Sequence, residues 1–368
     1  MNRYSFILYL ILLIFLFCLP VQVFSHAMIE ETFPQAKEEV GTEKEIDTKE
    51  EEVSIFNINK LITVVKAIET MTLIGLVGFY FFIHWILGEK TPPQLQNPLT
   101  PKMEISFYIS VSIIFMMTSF SQLFLLTYSF MASPFSLVVF LNIFSTIAFT
   151  LMGLFIWIRP LIVCILIFVI RRKYPKWTHL IVLSSIILTF SLTGHAVVYH
   201  SILSHFIHLS AAAIWCGGLT GFIIYTFSRE PSYLKLIFIQ RCITRFSSYA
   251  LVMFMIVIFS GIIISFTYLP SWDMIVSTTY GNLLIWKVAL TSVIFLIASF
   301  HRFIWLPSLY KIEQQQDKIN QLKKFVYILR LEIVILWIIV IIAGTLSTTH
   351  LPENHTPNDV NRHEHHQH

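Results

Sequence analysis

Eight stretches of this chain are apolar over about the 20 residues that a helix needs to cross a lipid bilayer. Inside a bilayer every backbone polar group must be hydrogen-bonded within the protein, so only helices and closed barrels can span it. The chain lacks the alternating apolar pattern of a barrel, and its 56% hydrophobic and 12% charged residues do not suit a soluble fold. The sequence therefore predicts an all-α membrane protein, an eight-span helical bundle with spans at about 61–87, 105–130, 140–170, 178–199, 202–227, 246–268, 282–306 and 331–349. The third stretch is long enough to begin as an interfacial or re-entrant piece.

The segments outside these spans differ in composition. A basic residue, a short apolar run and a small-residue motif are typical of a signal peptide at residues 1–25, cut before His26; an uncleaved anchor helix is the alternative. Residues 26–59 are rich in acids and predict a solvated extracytoplasmic linker. The predicted membrane domain then covers residues 60–350, and a histidine-rich extracytoplasmic tail covers 351–368.

Basic residues predict the orientation of the bundle, because Lys and Arg in short loops stay on the cytoplasmic side. They fall in alternate loops here, whereas the loops near 131–135, 200 and 269–280 hold none. The net charge of +4 therefore reports topology rather than nucleic-acid binding. We expect a multi-pass protein of the cell membrane with both termini extracytoplasmic. The basic loops contain Lys90, Lys102, Arg171, Arg172, Lys173, Lys176, Arg229, Lys235, Arg241, Arg245, Arg302, Lys311, Lys318, Lys323, Lys324 and Arg330.

Glycine motifs recur in the two halves of the predicted membrane domain. The matching pairs are Gly75-Leu-Val-Gly78 with Gly218-Leu-Thr-Gly221, and Gly153 followed by Arg159 with Gly281 followed by Lys287. This recurrence predicts two duplicated four-helix halves, related by an axis along the membrane normal. Small residues at this spacing also occur in ordinary helix packing, which is the alternative interpretation.

Four histidines crowd into the junction of the predicted fourth and fifth spans, at His195, His200, His205 and His208. An imidazole is costly in hydrocarbon unless something binds it. His205 and His208 are three residues apart and share one helix face, while His195 and His200 come from the preceding helix end and turn. Because imidazole suits copper, zinc, iron and nickel, the four nitrogens predict a metal site. The alternative is that each histidine caps a helix end by itself.

Softer ligands and further histidines favour copper among these metals. Cys216 lies two turns beyond His208, and sulfur ligands favour Cu(I), although packing is the alternative role for this cysteine. The end of the chain is rich in histidine from His350 onward, which is typical of a flexible metal-collecting segment. Cleavage before His26 would leave a free amine beside an imidazole, which together form a chelator for Cu(II).

Two basic residues, Arg159 and Lys287, lie inside apolar spans, where each charge costs about 3 kcal/mol. Their matched positions argue against chance, and snorkelling to an interface is the alternative. The sequence assigns no role to these two residues or to the acids Glu69 and Glu332 within the first and last spans.

Three motifs occur together in the second half of the chain. They are His205-Phe-Ile-His208-Leu-Ser-Ala-Ala-Ala-Ile-Trp215-Cys216-Gly217-Gly218, Arg245-Phe-Ser followed by Ser260-Gly261, and Thr279-Tyr280-Gly281-Asn-Leu-Leu-Ile-Trp-Lys287. With these motifs, Glu332 and a Leu351-Pro352 ending, residues 178–352 strongly resemble the CopD family of copper-resistance membrane proteins, and residues 61–170 resemble it more loosely. The resemblance implies an eight-span inner-membrane protein that moves copper inward, with His208 and Trp215-Cys-Gly-Gly on the family's most characteristic helix. The family usually has Leu at the position of Cys216.

The segment His26-Ala-Met-Ile-Glu-Glu-Thr-Phe-Pro34 resembles the start of CopC, a secreted copper-binding β-sandwich. The chain becomes acidic linker by Lys37, so only the amino-terminal histidine of that site carries over. The two resemblances imply copper ions as the ligand and a secreted copper-binding protein as a partner.

Copper uptake across the cytoplasmic membrane, serving copper homeostasis, is the function that these features favour. The tail and His26 would collect copper, and the four clustered histidines with His350 would receive it. The sequence has no GxxxxGK[ST] loop, which excludes direct ATP drive, and it predicts a transporter rather than an enzyme. Two alternatives stay open: a b-type haem protein that transfers electrons in the membrane, and a copper chaperone for a membrane enzyme.

Overall fold

The computed structural model describes residues 47–87, 101–130, 136–172, 174–193, 195–227, 233–269, 271–310 and 314–349. Within these ranges every regular element is a helix, which confirms the predicted all-α class. Contacts divide the chain into residues 1–53, described only for the first turns of one helix, and residues 54–368, which hold every site below. The predicted signal peptide, residues 26–46 of the predicted linker and the histidine-rich tail lie outside the described residues, whereas residues 47–59 of the linker are helical.

The described helices are α1 (Asp47–Phe81), α2 (Pro101–Ser129), α3 (Leu137–Phe149), α4 (Leu151–Arg171), α5 (Lys176–Ser191), α6 (His195–Val198), α7 (Ile202–Phe227), α8 (Tyr233–Tyr268), α9 (Trp272–Ser277), α10 (Thr279–Phe300), α11 (Leu306–Tyr310) and α12 (Gln315–Leu346). Two of them continue into a π-helical segment: α1 into Phe82–Leu87, and α10 into His301–Trp305.

Seven helices in the described ranges are long and apolar enough to cross a membrane: α1, α2, α4, α7, α8, α10 with its continuation, and α12. They cover seven of the eight predicted spans. The predicted fourth span is represented by α5, which has 16 residues and is about 24 Å long at 1.5 Å per residue. A hydrocarbon core is about 30 Å thick, so the eighth crossing stays a prediction.

The predicted third span consists of two helices in the structure. Thr150 separates the 13-residue α3 from the 21-residue α4. Its backbone is extended, with φ −66° and ψ 159°, and its hydroxyl accepts a hydrogen bond from the Gly153 amide at 3.1 Å. A threonine that caps a new helix therefore ends the apolar run that the sequence shows as unbroken.

The same local structure opens α10. Thr278 is extended, and its hydroxyl accepts a hydrogen bond from the Gly281 amide at 3.0 Å, directly after the short helix α9. A Cβ atom on Gly153 or on Gly281 would overlap the carbonyl oxygen six residues earlier in the chain. These shared details support the predicted duplication, because they extend the sequence match to a cap and a backbone contact; the duplication itself stays a prediction.

Helix α7 packs against α8, α5, α12 and the π-helical end of α1. It meets α1 where Gly78 lies against Gly217, so closely that a Cβ atom on either glycine would overlap the other backbone. Small residues at such a crossing allow two helix backbones to approach without a hydrophobic driving force. The helix that carries His205, His208 and Cys216 is therefore held between the two predicted halves.

Candidate metal site at the start of helix α7

His208 lies in the second turn of α7 and points toward α8. Its Nδ1 atom is 3.0 Å from the carbonyl oxygen of Val257 and 3.1 Å from the hydroxyl of Ser260. The ring rests on Gly261, where an added Cβ atom would lie 3.3 Å from the imidazole Cε1. The Ser260-Gly261 pair of the sequence motif thus supplies both a hydrogen-bond partner and the space that the imidazole occupies.

This geometry assigns the His208 proton to Nδ1. A carbonyl oxygen can only accept, and the Ser260 hydroxyl donates to the Ile256 carbonyl, so both neighbours of Nδ1 accept from the ring. The lone pair of the neutral imidazole is then on Nε2. Histidines that bind metals commonly donate their other N–H to a backbone carbonyl in this way, which fixes the tautomer and the ring orientation.

The other three clustered histidines each have different surroundings. His205 Nδ1 lies 3.2 Å from the Ser191 hydroxyl at the end of α5. His200 is exposed, with a positive φ of 51° in the turn before α7. His195 begins the short helix α6, and its side chain is outside the described part of the structure. The described histidine positions share one end of the bundle, but they do not converge on one point.

Cys216 is buried farther along α7, eight residues and therefore about 12 Å from His208 along the helix axis. This rise is too large for both side chains to bind one ion while the helix stays continuous. His26 and His350 lie outside the described residues. Among the residues that are described, no group of three His, Cys, Asp or Glu side chains is close enough to hold a metal ion. A complete ligand set at this end stays a prediction.

Arg159 forms a buried ion pair that the sequence left unassigned. Its Nη1 atom lies 2.8 Å from Glu69 Oε2, and both side chains are 2% exposed. Its Nη2 atom donates to the Thr193 hydroxyl at 2.6 Å and to the Thr189 carbonyl at 3.3 Å, while the guanidinium stacks on Phe190. The arginine therefore faces protein and joins α1, α4 and α5, so snorkelling to an interface does not describe it.

Lys287 occupies the matching place in the second half. It lies within electrostatic range of His208 and Cys216 on α7, as Arg159 lies beside Glu69 on α1. Arg159 is paired with a residue of α1, and the charge of Lys287 acts on residues of α7; these are the first helices of the two predicted halves. In the first half that helix offers a carboxylate, and in the second it offers an imidazole and a thiol.

Sequence reasoning missed the histidines at the other end of the bundle. His301 Nδ1 lies 2.7 Å from Glu332 Oε1, and His84 Nε2 lies 3.1 Å from Glu104 Oε1. Each of these histidines is in a π-helical segment, a kind of distortion that is frequent at functional sites. Pairing each histidine near the end of an apolar run with the acid of the next span would have found both contacts.

Comparison with known proteins agrees with the family resemblance of the sequence. A family model described as the copper resistance protein D-like N-terminal domain matches residues 58–203, and one described as copper resistance protein D matches residues 240–346. The chain belongs to the copper resistance protein D family, CopD. The two matches together cover most of the span-length helices, whereas residues 204–239, which include His205, His208 and Cys216 on α7, lie between them.

One curated relative of this CopD protein is copper transport protein CutJ of Bacillus subtilis (strain 168), which is 30% identical over 134 residues. The match covers 35% of this chain, and the chain spans about a quarter of the length of that relative. No solved structure matches the chain. The family and the apolar helices identify a multi-pass membrane protein of the copper-resistance class.

Proposed function

We propose that this CopD protein carries copper ions across the cytoplasmic membrane into the cell, and that it is a transporter rather than an enzyme. Membership in a copper-resistance family and the similarity to a copper transport protein support copper as the cargo. The orientation of His208 supports this residue as a copper ligand, because its Nδ1–H is held by α8 and its Nε2 keeps a lone pair for a metal ion.

In this proposal the four histidines His195, His200, His205 and His208 receive copper at the extracytoplasmic end, together with His350. His26 and the histidine-rich tail collect the ion from outside, with a secreted copper-binding protein as a further donor. Cys216 then forms a second copper-binding site about 12 Å deeper, since sulfur suits Cu(I) and since His208 and Cys216 are too far apart to bind the same ion. Both chain termini are extracytoplasmic, following the distribution of basic loops.

Uptake of radioactive copper into vesicles that contain the purified protein tests this function. We expect His208→Ala to lower the initial rate at least tenfold, because the ring is the ligand that the fold orients. The matched control is His84→Ala, which removes a partly buried histidine from the opposite end of the bundle and should keep most of the rate.

A second variant separates ligand loss from misfolding. Ser260→Ala keeps the His208 ring and removes only one of the two groups around Nδ1, so we expect an intermediate rate. Equal uptake by the wild type and by His208→Ala would reject this residue as a ligand. A Soret band that shifts on reduction of the purified protein would reject copper transport in favour of haem-dependent electron transfer.

A further inference from the structure

A cavity of about 90 Å³ lies among α7, α8, α10 and α12, deeper in the bundle than His208. It begins beside Trp215, the neighbour of Cys216, and reaches the His301–Glu332 pair on α10 and α12. A cavity of this size has room for water, since about 10–15 Å³ of such volume is enough for one molecule. Most of the lining is apolar, from residues such as Phe222, Phe254 and Phe295.

His301 and Glu332 are the acid–base pair of this cavity, and they are only 6% and 3% exposed. The imidazole is packed between Trp305 and Phe325, with ring centroids 5.3 and 4.9 Å away. A buried His–Glu pair that holds one proton in total has no net charge, and a medium that solvates charge poorly favours such a state. Ionisable residues at such positions in membrane proteins mark ion and proton pathways.

The charged groups around the pair can be named for each helix that lines the cavity. Arg302 is on the same segment as His301, and it donates hydrogen bonds to Ser247 and Ser248 of α8. Arg330 precedes Glu332 by one turn or less on α12. The cavity lining from α7 and α8 contains no titratable side chain.

We propose that the His301–Glu332 pair is a proton-binding site that exchanges one proton for each copper ion passing through the inner half of the bundle. This inference rests on the proposed function. A monovalent cation that leaves Cys216 enters the end of the cavity beside Trp215, where the pair with its one proton is neutral and offers no counter-charge. Release of the proton through the cavity leaves one negative charge, which balances the one positive charge of the cation.

The first half of the chain supplies a matched control. His84 and Glu104 also pair beside a π-helical segment, but these side chains are 26% and 13% exposed and do not line the cavity. A general effect of removing a His–Glu pair from the end of a helix would appear at both places. An effect of the cavity pair would appear only at His301 and Glu332.

Proton release on metal binding tests the inference. Purified full-length protein in weakly buffered detergent receives silver ion as a stable substitute for Cu(I), while a pH-sensitive dye counts the protons released. Other histidines also release protons when they bind metal, so the informative quantity is the difference between variants. We expect Glu332→Gln to release about one proton less per bound ion than the wild type, and Glu104→Gln to match the wild type.

The outcomes separate this inference from the proposed function. Equal proton release by the wild type and Glu332→Gln, with silver bound equally, overturns the inference and leaves copper transport standing. Failure of every variant to bind silver overturns both. If Glu332→Gln unfolds, Glu332→Met is the second variant, since it removes the same carboxylate and puts an apolar side chain of similar size in its place; it is expected to show the same deficit, and normal release by this variant also overturns the proposal.

Discussion

At the scale of single residues, Glu69 and Arg159 form a buried ion pair within the membrane region. Removal of one partner leaves a buried charge without compensation, which costs about 3–5 kcal/mol, whereas removal of both is far less harmful. We therefore expect Glu69→Gln to lower the thermal unfolding midpoint in detergent more than the double variant Glu69→Gln/Arg159→Met does. A single variant as stable as the wild type would show that Thr189, Thr193 and the Phe190 ring suffice for the arginine.

At this scale the sequence identified His208 and Arg159 as unusual residues, but it did not predict their partners. His208 was recognisable from its spacing to His205, whereas its tautomer depends on the Val257 carbonyl of another helix. Arg159 was recognisable as a charge in an apolar run, and its ion pair with Glu69 joins residues 90 positions apart. His301 carried no local signal, because its acid is on the next long helix.

At the scale of elements, the caps before α4 and α10 predict how three glycines respond to substitution by alanine. Gly153→Ala and Gly281→Ala each force a Cβ atom into a carbonyl oxygen, so we expect both to lower the unfolding midpoint measurably. Gly75→Ala is the control, because nothing lies within 4 Å of an added Cβ atom there. Alanine also favours a helix interior over glycine by about 0.5–1 kcal/mol, so this control should match or exceed the wild type. Equal responses at all three positions would contradict the overlap at the caps.

Helix positions were predictable at this scale, and helix interruptions were not. The predicted fifth span, 202–227, coincides with α7, because its boundaries are marked by polar residues in the chain. The predicted third span contained Thr150. Threonine is common within transmembrane helices, so this residue by itself does not indicate the end of a helix. Thr150 and Thr278 each stand three residues before a matched glycine, but nothing in the sequence shows that either threonine caps a helix.

At the scale of the whole molecule, the direction of transport depends on which end of the bundle faces the cytoplasm. The basic-loop pattern predicts that α9, with Val276 73% exposed, lies on the extracytoplasmic side and that the start of α12, with Gln316 exposed, lies on the cytoplasmic side. In a cysteine-free background, a membrane-impermeant maleimide should label Val276→Cys in intact cells and Gln316→Cys only after permeabilisation. The reverse pattern would turn His208 toward the cytoplasm. Copper would then meet the oriented imidazole from inside the cell, and the same ligands would serve export or delivery to a membrane enzyme instead of uptake.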